Sequence, residues 1–236
     1  MEVLGPLRAT GPDGADLTPD GTLQRRLLAL LVLHRGRVVS TDAAVDALWP
    51  DDAPRDPVAA LQNQVSRLRR RLPDGLVESA DAGYRLDAGR LVVDADELAD
   101  AVHHASAGGD TEGLLDDLLA RWRGPAFPEL DEVDDGRAEA VRLDELRVRA
   151  RELRAERRLA AGDADAAAVD LADLVAAEPL RERPRALLME ALAAAGRTGG
   201  WPGGAAGFAG AGAFAAGEEL TVGEGGGVPA WSGGGV

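Results

Sequence analysis

The most informative stretch of the sequence is residues 56–72, DPVAALQNQVSRLRRRL. When this stretch is drawn on a helical wheel, Leu61, Val65, Leu68 and Leu72 recur at positions i, i+4, i+7 and i+11 and form one apolar stripe. Such a stripe predicts an amphipathic helix with one face in a hydrophobic core.

The opposite face of this helix carries groups that can contact a DNA duplex. Guanidiniums bind phosphates or guanine, amides bind adenine, and a hydroxyl binds either. No acidic residue lies between positions 58 and 72, although the formal net charge of the chain is −15. An arginine-rich run is also typical of a solvated helix face, so the flanking sequence has to distinguish the two interpretations. The predicted base and phosphate contacts are Gln62, Asn63, Ser66, Arg67 and Arg70, and the predicted backbone contacts are Arg69, Arg71 and, further along the chain, Arg85.

The negative charge is concentrated in the second part of the chain. Residues 1–90 contain 12 of the 26 basic residues and 13 of the 41 acidic ones, so residues 91–236 contain the other 14 and 28. Binding to a polyanion depends on the local field within about one Debye length, roughly 8–10 Å, more than on the total charge. The composition is therefore compatible with DNA binding, and it predicts a separate acidic unit that stays away from DNA.

Composition and motifs argue against several classes of protein. The chain has no cysteine, which excludes disulfides, a cysteine nucleophile and thiolate metal sites. It shows no secretion signal and no apolar run long enough to cross a membrane, so we expect a cytoplasmic protein. His103 and His104 are adjacent and point in different directions on a helix, and no catalytic or nucleotide-binding motif is convincing. We therefore predict no enzyme, no cofactor and no metal.

The residues around the arginine-rich helix complete a winged helix-turn-helix pattern. Thr18 or Asp20 is a candidate cap for the first helix, and Tyr84 is expected to pack against the arginine-rich helix. In this pattern the third helix enters the major groove and the hairpin, or wing, lies beside it. The predicted elements are short strands within 1–10 and at 15–17, a buried helix at 22–35, a brief strand at 37–39, a helix at 42–49, the helix at 56–72, and hairpin strands at 76–79 and 83–86.

The sequence pattern of the second part of the chain predicts helices only. Helical pairs recur about every 34 residues, a period typical of tetratricopeptide-like stacking, which presents a groove for a protein partner. Val141 is among the apolar positions of the longest helix, and Thr111 is a candidate cap. The predicted helices lie at 94–107, 111–122, 134–161, 164–177 and 182–195.

Motifs in both parts resemble one bacterial family. RVVSTDAAVDALW, ALQNQVSRLRRRL and GYRL, in that order within residues 1–92, resemble the DNA-binding domain of the SARP-type antibiotic-pathway activators. LLARWRGPAFPEL and PLRERPRALLMEALAAAGR, within 95–198, resemble the bacterial transcriptional activator domain (BTAD) that follows it. The resemblance implies tandem or homodimeric binding to direct repeats in promoters of biosynthetic gene clusters, and recruitment of RNA polymerase.

The last 38 residues depart from this pattern. Residues 199–236 contain 15 of the 30 glycines and no arginine, and no helical period survives in them. Because glycine costs about 1 kcal/mol relative to alanine in a helix, we predict a disordered tail. The abrupt change within two residues of a well-matched motif suggests a frameshift, and a genuine flexible tail is the alternative.

These observations predict a mainly α protein with three parts. Residues 1–93 form a winged-helix DNA-binding domain with a small β hairpin, residues 94–198 an all-α tetratricopeptide-like domain, and residues 199–236 the tail. The predicted function is that of a sequence-specific transcriptional activator binding double-stranded DNA. The alternatives are a protein-interaction module whose winged helix no longer reads DNA, and a non-functional remnant.

Overall fold

A computed structural model describes residues 1–111 and 113–196 of the chain. Residues Met1–Ala195 form one compact unit. The described part is mainly helical, with a small three-stranded sheet, as the sequence predicts. The predicted tail lies outside the described residues. The elements of the first half are α1 (Thr22–Leu33), β1 (Val39–Ser40), α2 (Thr41–Leu48), α3 (Pro57–Arg71), β2 (Val77–Ala80) and β3 (Gly83–Leu86).

Local sequence explains where α3 begins and ends. Asp56 caps its first turn by accepting a hydrogen bond of 3.0 Å from the backbone N–H of Ala59, and Pro57 occupies a first-turn position where no amide donor is needed. The last turn carries Arg69, Arg70 and Arg71, whose charges suit the negative end of the helix dipole. The predicted helix at 56–72 is therefore confirmed.

The sheet is antiparallel, with strand order β1-β3-β2. β1 lies so close to β3 at Gly83 that a Cβ atom there would stand 1.9 Å from the carbonyl oxygen of Val39. Only glycine can occupy this position without moving the strand. The β2–β3 hairpin, residues 77–86, is called the wing below.

The second half is helical, as predicted. α6 packs against α4, α5, α7 and α8, and α7 packs against α8, so α6 is the helix that the other four share. A 3₁₀ turn at Pro128–Leu130 precedes α6. The helices are α4 (Asp94–Ser106), α5 (Leu114–Ala120), α6 (Asp134–Ala160), α7 (Ala164–Ala177) and α8 (Glu182–Ala194).

The two halves share one hydrophobic core, which runs from Val3 to Leu153. Asp94, at the start of α4, is 2% exposed and accepts hydrogen bonds of 2.8 and 3.3 Å from the backbone N–H groups of Val3 and Leu4. Burial raises the pKa of this carboxyl group, and the hydrogen bonds to its charged form oppose that rise. The acidic half is thus packed directly on the winged helix, mainly on α1.

Two predicted caps are wrong. α1 begins after Gly21 without a side-chain cap, because the Thr18 hydroxyl instead accepts a hydrogen bond of 3.0 Å from the N–H of Ala9. α5 begins only at Leu114, after Gly113 in a left-handed conformation, and Thr111 is buried outside the helix. At Thr18 a tertiary hydrogen bond replaces the expected helix cap, and before α5 a glycine turn replaces the cap expected from Thr111.

Other differences are small. The predicted strands near the amino terminus are isolated bridges, between Glu2 and Arg8 and between Thr10 and Asp16. Val141 on α6 is 63% exposed and takes no part in the core. No helix within the described residues is long and apolar enough to cross a membrane.

Candidate DNA-binding surface

The apolar stripe of α3 orients the helix. Leu61 and Leu68 are 0% exposed, and Val65 and Leu72 are 2% and 5% exposed. Because these side chains point into the core, the opposite face of the helix must point to solvent. All eight side chains predicted to contact DNA are exposed: Gln62, Asn63, Ser66, Arg67, Arg69, Arg70, Arg71 and Arg85.

Within the described residues, Arg67 and Arg70 form no hydrogen bond or ion pair, which leaves their guanidiniums available for an external anion. Arg71 is also without a hydrogen bond there, although it lies near Asp16. The pKa of Asp16 is lowered mainly by hydrogen bonds from Thr18, and the charge of Arg71 adds to this effect. The carboxyl-terminal end of α3 therefore presents Arg67, Arg70 and Arg71, which form no ion pair within the described residues.

Two grooves flank this end of α3. One, of about 550 Å³, separates α3 from the wing and is lined by Gln62, Ser66 and Arg70 on the helix and by Ser79 and Tyr84 on the wing. The other, of about 320 Å³, lies beside the first turn of α1 and is also lined by arginines of α3. Four of the predicted contact residues, Gln62, Ser66, Arg69 and Arg70, thus line the groove between helix and wing.

Arg69 is held by the protein itself. Its Nε donates to the carbonyl oxygen of Val77 at 3.0 Å, and its Nη2 donates to the hydroxyl of Ser79 at 2.8 Å. Its guanidinium carbon lies 5.9 Å from the centre of the Tyr84 ring. The expectation that Tyr84 packs against the arginine-rich helix is confirmed by this contact.

Arg85 is also paired. It stands directly opposite Glu78 across the wing, and its Nε donates to a Glu78 carboxylate oxygen at 2.6 Å. Both side chains are partly exposed, at 49% and 38%. Arg85, the predicted backbone contact on the wing, is therefore part of an ion pair with Glu78.

Sequence reasoning missed some residues of this surface. Gln24 of α1 donates to Gln64 of α3 at 2.5 Å and so links the two helices beside the arginines. Glu78 was missed because it pairs with Arg85 only in the register that β2 and β3 adopt. The alternation of inward-facing and outward-facing side chains along the two strands could have indicated that register. Arg55 is exposed one residue before the α3 cap and adds a positive charge at the other end of the helix.

A metal site is not apparent in the part of the chain that the structure describes: no group of three or more histidine or acidic side chains there could hold an ion. The exposed face of α3 carries guanidinium and amide donors and a serine hydroxyl. Such groups can bind and orient a polyanion.

Comparison with known proteins agrees with this picture. A family model described as "Transcriptional regulatory protein, C terminal" matches residues 17–86, and one described as "Bacterial transcriptional activator domain" matches residues 92–200. The chain is 38% identical to the regulatory protein AfsR of Streptomyces coelicolor over 202 residues and 35% identical to the transcriptional regulator RedD of the same organism over 214 residues. These matches cover 83% and 84% of the chain.

A solved structure is also similar. The transcriptional regulatory protein EmbR of Mycobacterium tuberculosis, in complex with a low-affinity phosphopeptide, matches 83% of the chain with a TM-score of 0.72 and 32% sequence identity. The chain spans 20% of AfsR, 60% of RedD and 55% of the EmbR chain, so each relative is considerably longer than the matched region.

The two family models cover adjacent parts of the chain in the same order as the two halves of the fold. The matched families and relatives are regulators of transcription and not enzymes, as predicted. The chain belongs to the SARP-type family of transcriptional regulatory proteins, in which a winged helix is followed by a bacterial transcriptional activator domain.

Proposed function

We propose that this protein is a sequence-specific DNA-binding activator of transcription that inserts α3 into the major groove. The observation that carries the proposal is the solvent-facing side of α3, where Arg67 and Arg70 have no partner among the described residues and stand beside Gln62, Asn63 and Ser66. In this arrangement the amides and Ser66 read base edges, and the arginines bind guanine edges or phosphates. Arg71 completes the set as a backbone contact.

The finer parts of the proposal follow from the family resemblance. They are binding to direct repeats in the promoters of a biosynthetic gene cluster, as tandem copies or a homodimer, and recruitment of RNA polymerase in the cytoplasm. We further propose that residues 1–93 are the DNA-binding module and residues 94–198 the module that contacts the transcription machinery. The negative charge of the second module supports this division, because an acidic surface is repelled by DNA.

One observation favours the alternative of a protein-interaction module. Arg69 and Arg85, both expected to contact the DNA backbone, have guanidiniums already engaged within the protein. A winged helix that no longer reads DNA would tolerate such pairing. The third alternative, a non-functional remnant, depends on residues 199–236, which lie outside the described part.

Selection from genomic DNA tests the proposal. The purified full chain is mixed with sheared DNA from its own source at about 150 mM salt, and the retained fragments are sequenced. We expect enrichment of a few promoters that carry spaced repeats, and loss of that enrichment in an Arg67→Ala, Arg70→Ala double variant. Weak and uniform retention, or none, would contradict sequence-specific binding and favour the interaction module.

A further inference from the structure

We infer that Arg69 is a positioning residue that fixes the wing against α3 and does not itself bind DNA. This inference rests on the proposed function and changes the role of one of its predicted contacts. It starts from a difference among neighbours: Arg69 is held by Val77, Ser79 and Tyr84, whereas Arg70 has no such partner within the described residues.

The contacts hold the guanidinium in one plane. Nε and Nη2 lie on the same edge of the group and donate to two acceptors of β2, and the guanidinium carbon lies 5.9 Å from the centre of the Tyr84 ring on β3. A guanidinium supplies such a rigid fork and a flat face, and an ammonium supplies neither. Both strands of the wing are therefore tied to α3 by one side chain.

The surrounding packing explains why the wing needs this link. The backbone of β3 packs against β1 and α1, and β2 packs against β3, so the wing is attached mainly to elements other than α3. Between α3 and the wing lies the groove of about 550 Å³. Arg69 reaches from α3 to Ser79 and Tyr84, which line that groove, and so sets its width.

The width of this groove matters for the proposed function. A DNA strand that leaves the major groove has to pass between helix and wing, with Arg70 and Ser66 on one side and Ser79 on the other. Releasing the wing would lower the affinity for DNA even though no contact between Arg69 and DNA is lost.

Conservative substitutions separate positioning from direct contact. We expect Arg69→Lys and Arg69→Gln to weaken binding to the selected promoter fragments to a similar extent, about tenfold, because neither can form the fork. The comparison is with Arg70→Gln, which removes a proposed direct contact and should lower both the affinity and the slope of log affinity against log salt, whereas Arg69→Lys keeps the charge and should lower the affinity with little change in the slope. If Arg69→Lys binds like the wild type while Arg69→Gln does not, or if neither change weakens binding, the inference is wrong.

A double-mutant cycle tests the link to the wing. Ser79→Ala should weaken binding in the wild-type chain and have little further effect in the Arg69→Lys variant, because both changes remove the same contact. Additive effects would indicate that the two side chains act separately and would overturn the inference.

Hydrogen exchange on the free full-length chain provides a readout without DNA. Amides of residues 77–86 should exchange faster in Arg69→Lys than in the wild type, and at the wild-type rate in Arg70→Lys. Unchanged exchange in Arg69→Lys would overturn the inference. A wild-type chain that retains no DNA would contradict the proposed function, and the exchange measurement alone would then support or overturn Arg69 as the anchor of the wing.

Discussion

At the scale of single residues, what distinguishes the arginines of α3 is whether another part of the protein already neutralises them. Arg67 and Arg70 are exposed and have no partner among the described residues, whereas Arg69 is hydrogen-bonded to the wing. A bound guanidinium has to lose its internal contacts before it can bind a phosphate, so the unpartnered residues are the stronger candidates for DNA contacts.

The first prediction concerns these unpartnered arginines. Arg67→Ala together with Arg70→Ala should weaken binding to all DNA sequences and reduce the slope of log affinity against log salt by about two units, one for each lost phosphate contact. Titration of labelled DNA at several salt concentrations measures both quantities. Affinity and slope equal to those of the wild type would mean that this face of α3 does not touch DNA.

The second prediction concerns the ion pair on the wing. Glu78→Gln removes a negative charge next to the proposed path of the DNA and frees Arg85. We expect an increase in affinity of about two- to fivefold, the size expected from an exposed charge pair, and a steeper salt dependence. The same titrations measure this effect. Weaker binding of Glu78→Gln would show that the pair is needed intact.

The third prediction concerns His34, which follows α1 and lies 3.5 Å from Asp135 near the start of α6. Burial, aided by the charge of Arg37, lowers the pKa of this imidazole below its ordinary value of 6.5, and Asp135 only partly opposes this. The unfolded chain therefore takes up the proton at a higher pH than the folded one, and folding stability falls as the pH drops below about 6.5.

Unfolding by urea measures this effect. Between about pH 7.5 and about pH 5.5, His34→Gln should lose less stability than the wild type, because glutamine has no proton to take up in this range. Equal losses in the two proteins would show that His34 does not contribute to the pH dependence.

At the scale of elements, the apolar stripe of α3 determines which way its polar face points. Leu68 is fully buried in the middle of that stripe, between the arginines. The position of these arginines therefore depends on packing beneath them.

The fourth prediction tests this packing. Leu68→Ala should lower the free energy of unfolding by about 2–5 kcal/mol, because it removes a buried side chain and leaves a cavity. The control is Val58→Ala, on the same helix at 46% exposure, which should change the stability by less than about 0.5 kcal/mol. Urea unfolding measures both. Similar small effects would mean that α3 is not anchored through this stripe.

At the scale of the whole molecule, the winged-helix half and the helical half, which the sequence predicts as separate domains, share one hydrophobic core. The core extends from Val3 through α1 to Leu153 of α6, and Asp94 binds the amino-terminal backbone directly. Two halves that share a core unfold together, since neither can lose its packing without exposing the other.

The fifth prediction follows from this shared core. Residues Met1–Ala195 should unfold in a single thermal transition, and the isolated fragment 1–93 should unfold at a lower temperature. The fragment lacks Asp94, which leaves the N–H groups of Val3 and Leu4 without their acceptor, and it exposes the side of α1 that faces α6. Calorimetry of both proteins measures this. Two separate transitions, or equal unfolding temperatures, would show that the halves are independent.

The sequence by itself determined the helices, the order of the winged helix and the buried stripe of α3. These features depend on periodicity and on contacts within a few residues, which a single sequence displays. It also identified the exposed face that carries the candidate site.

Only the tertiary structure decided which members of that face are free. Arg69 is engaged because β2 lies beside it, and Arg85 is engaged because the register of β2 and β3 places Glu78 opposite it. The Thr18 hydroxyl accepts a hydrogen bond from the backbone of Ala9 and so does not cap α1. The union of the two halves through Asp94 is likewise a contact between residues about ninety positions apart. Such contacts depend on how segments that are distant in sequence pack together, and local residue patterns do not indicate that packing.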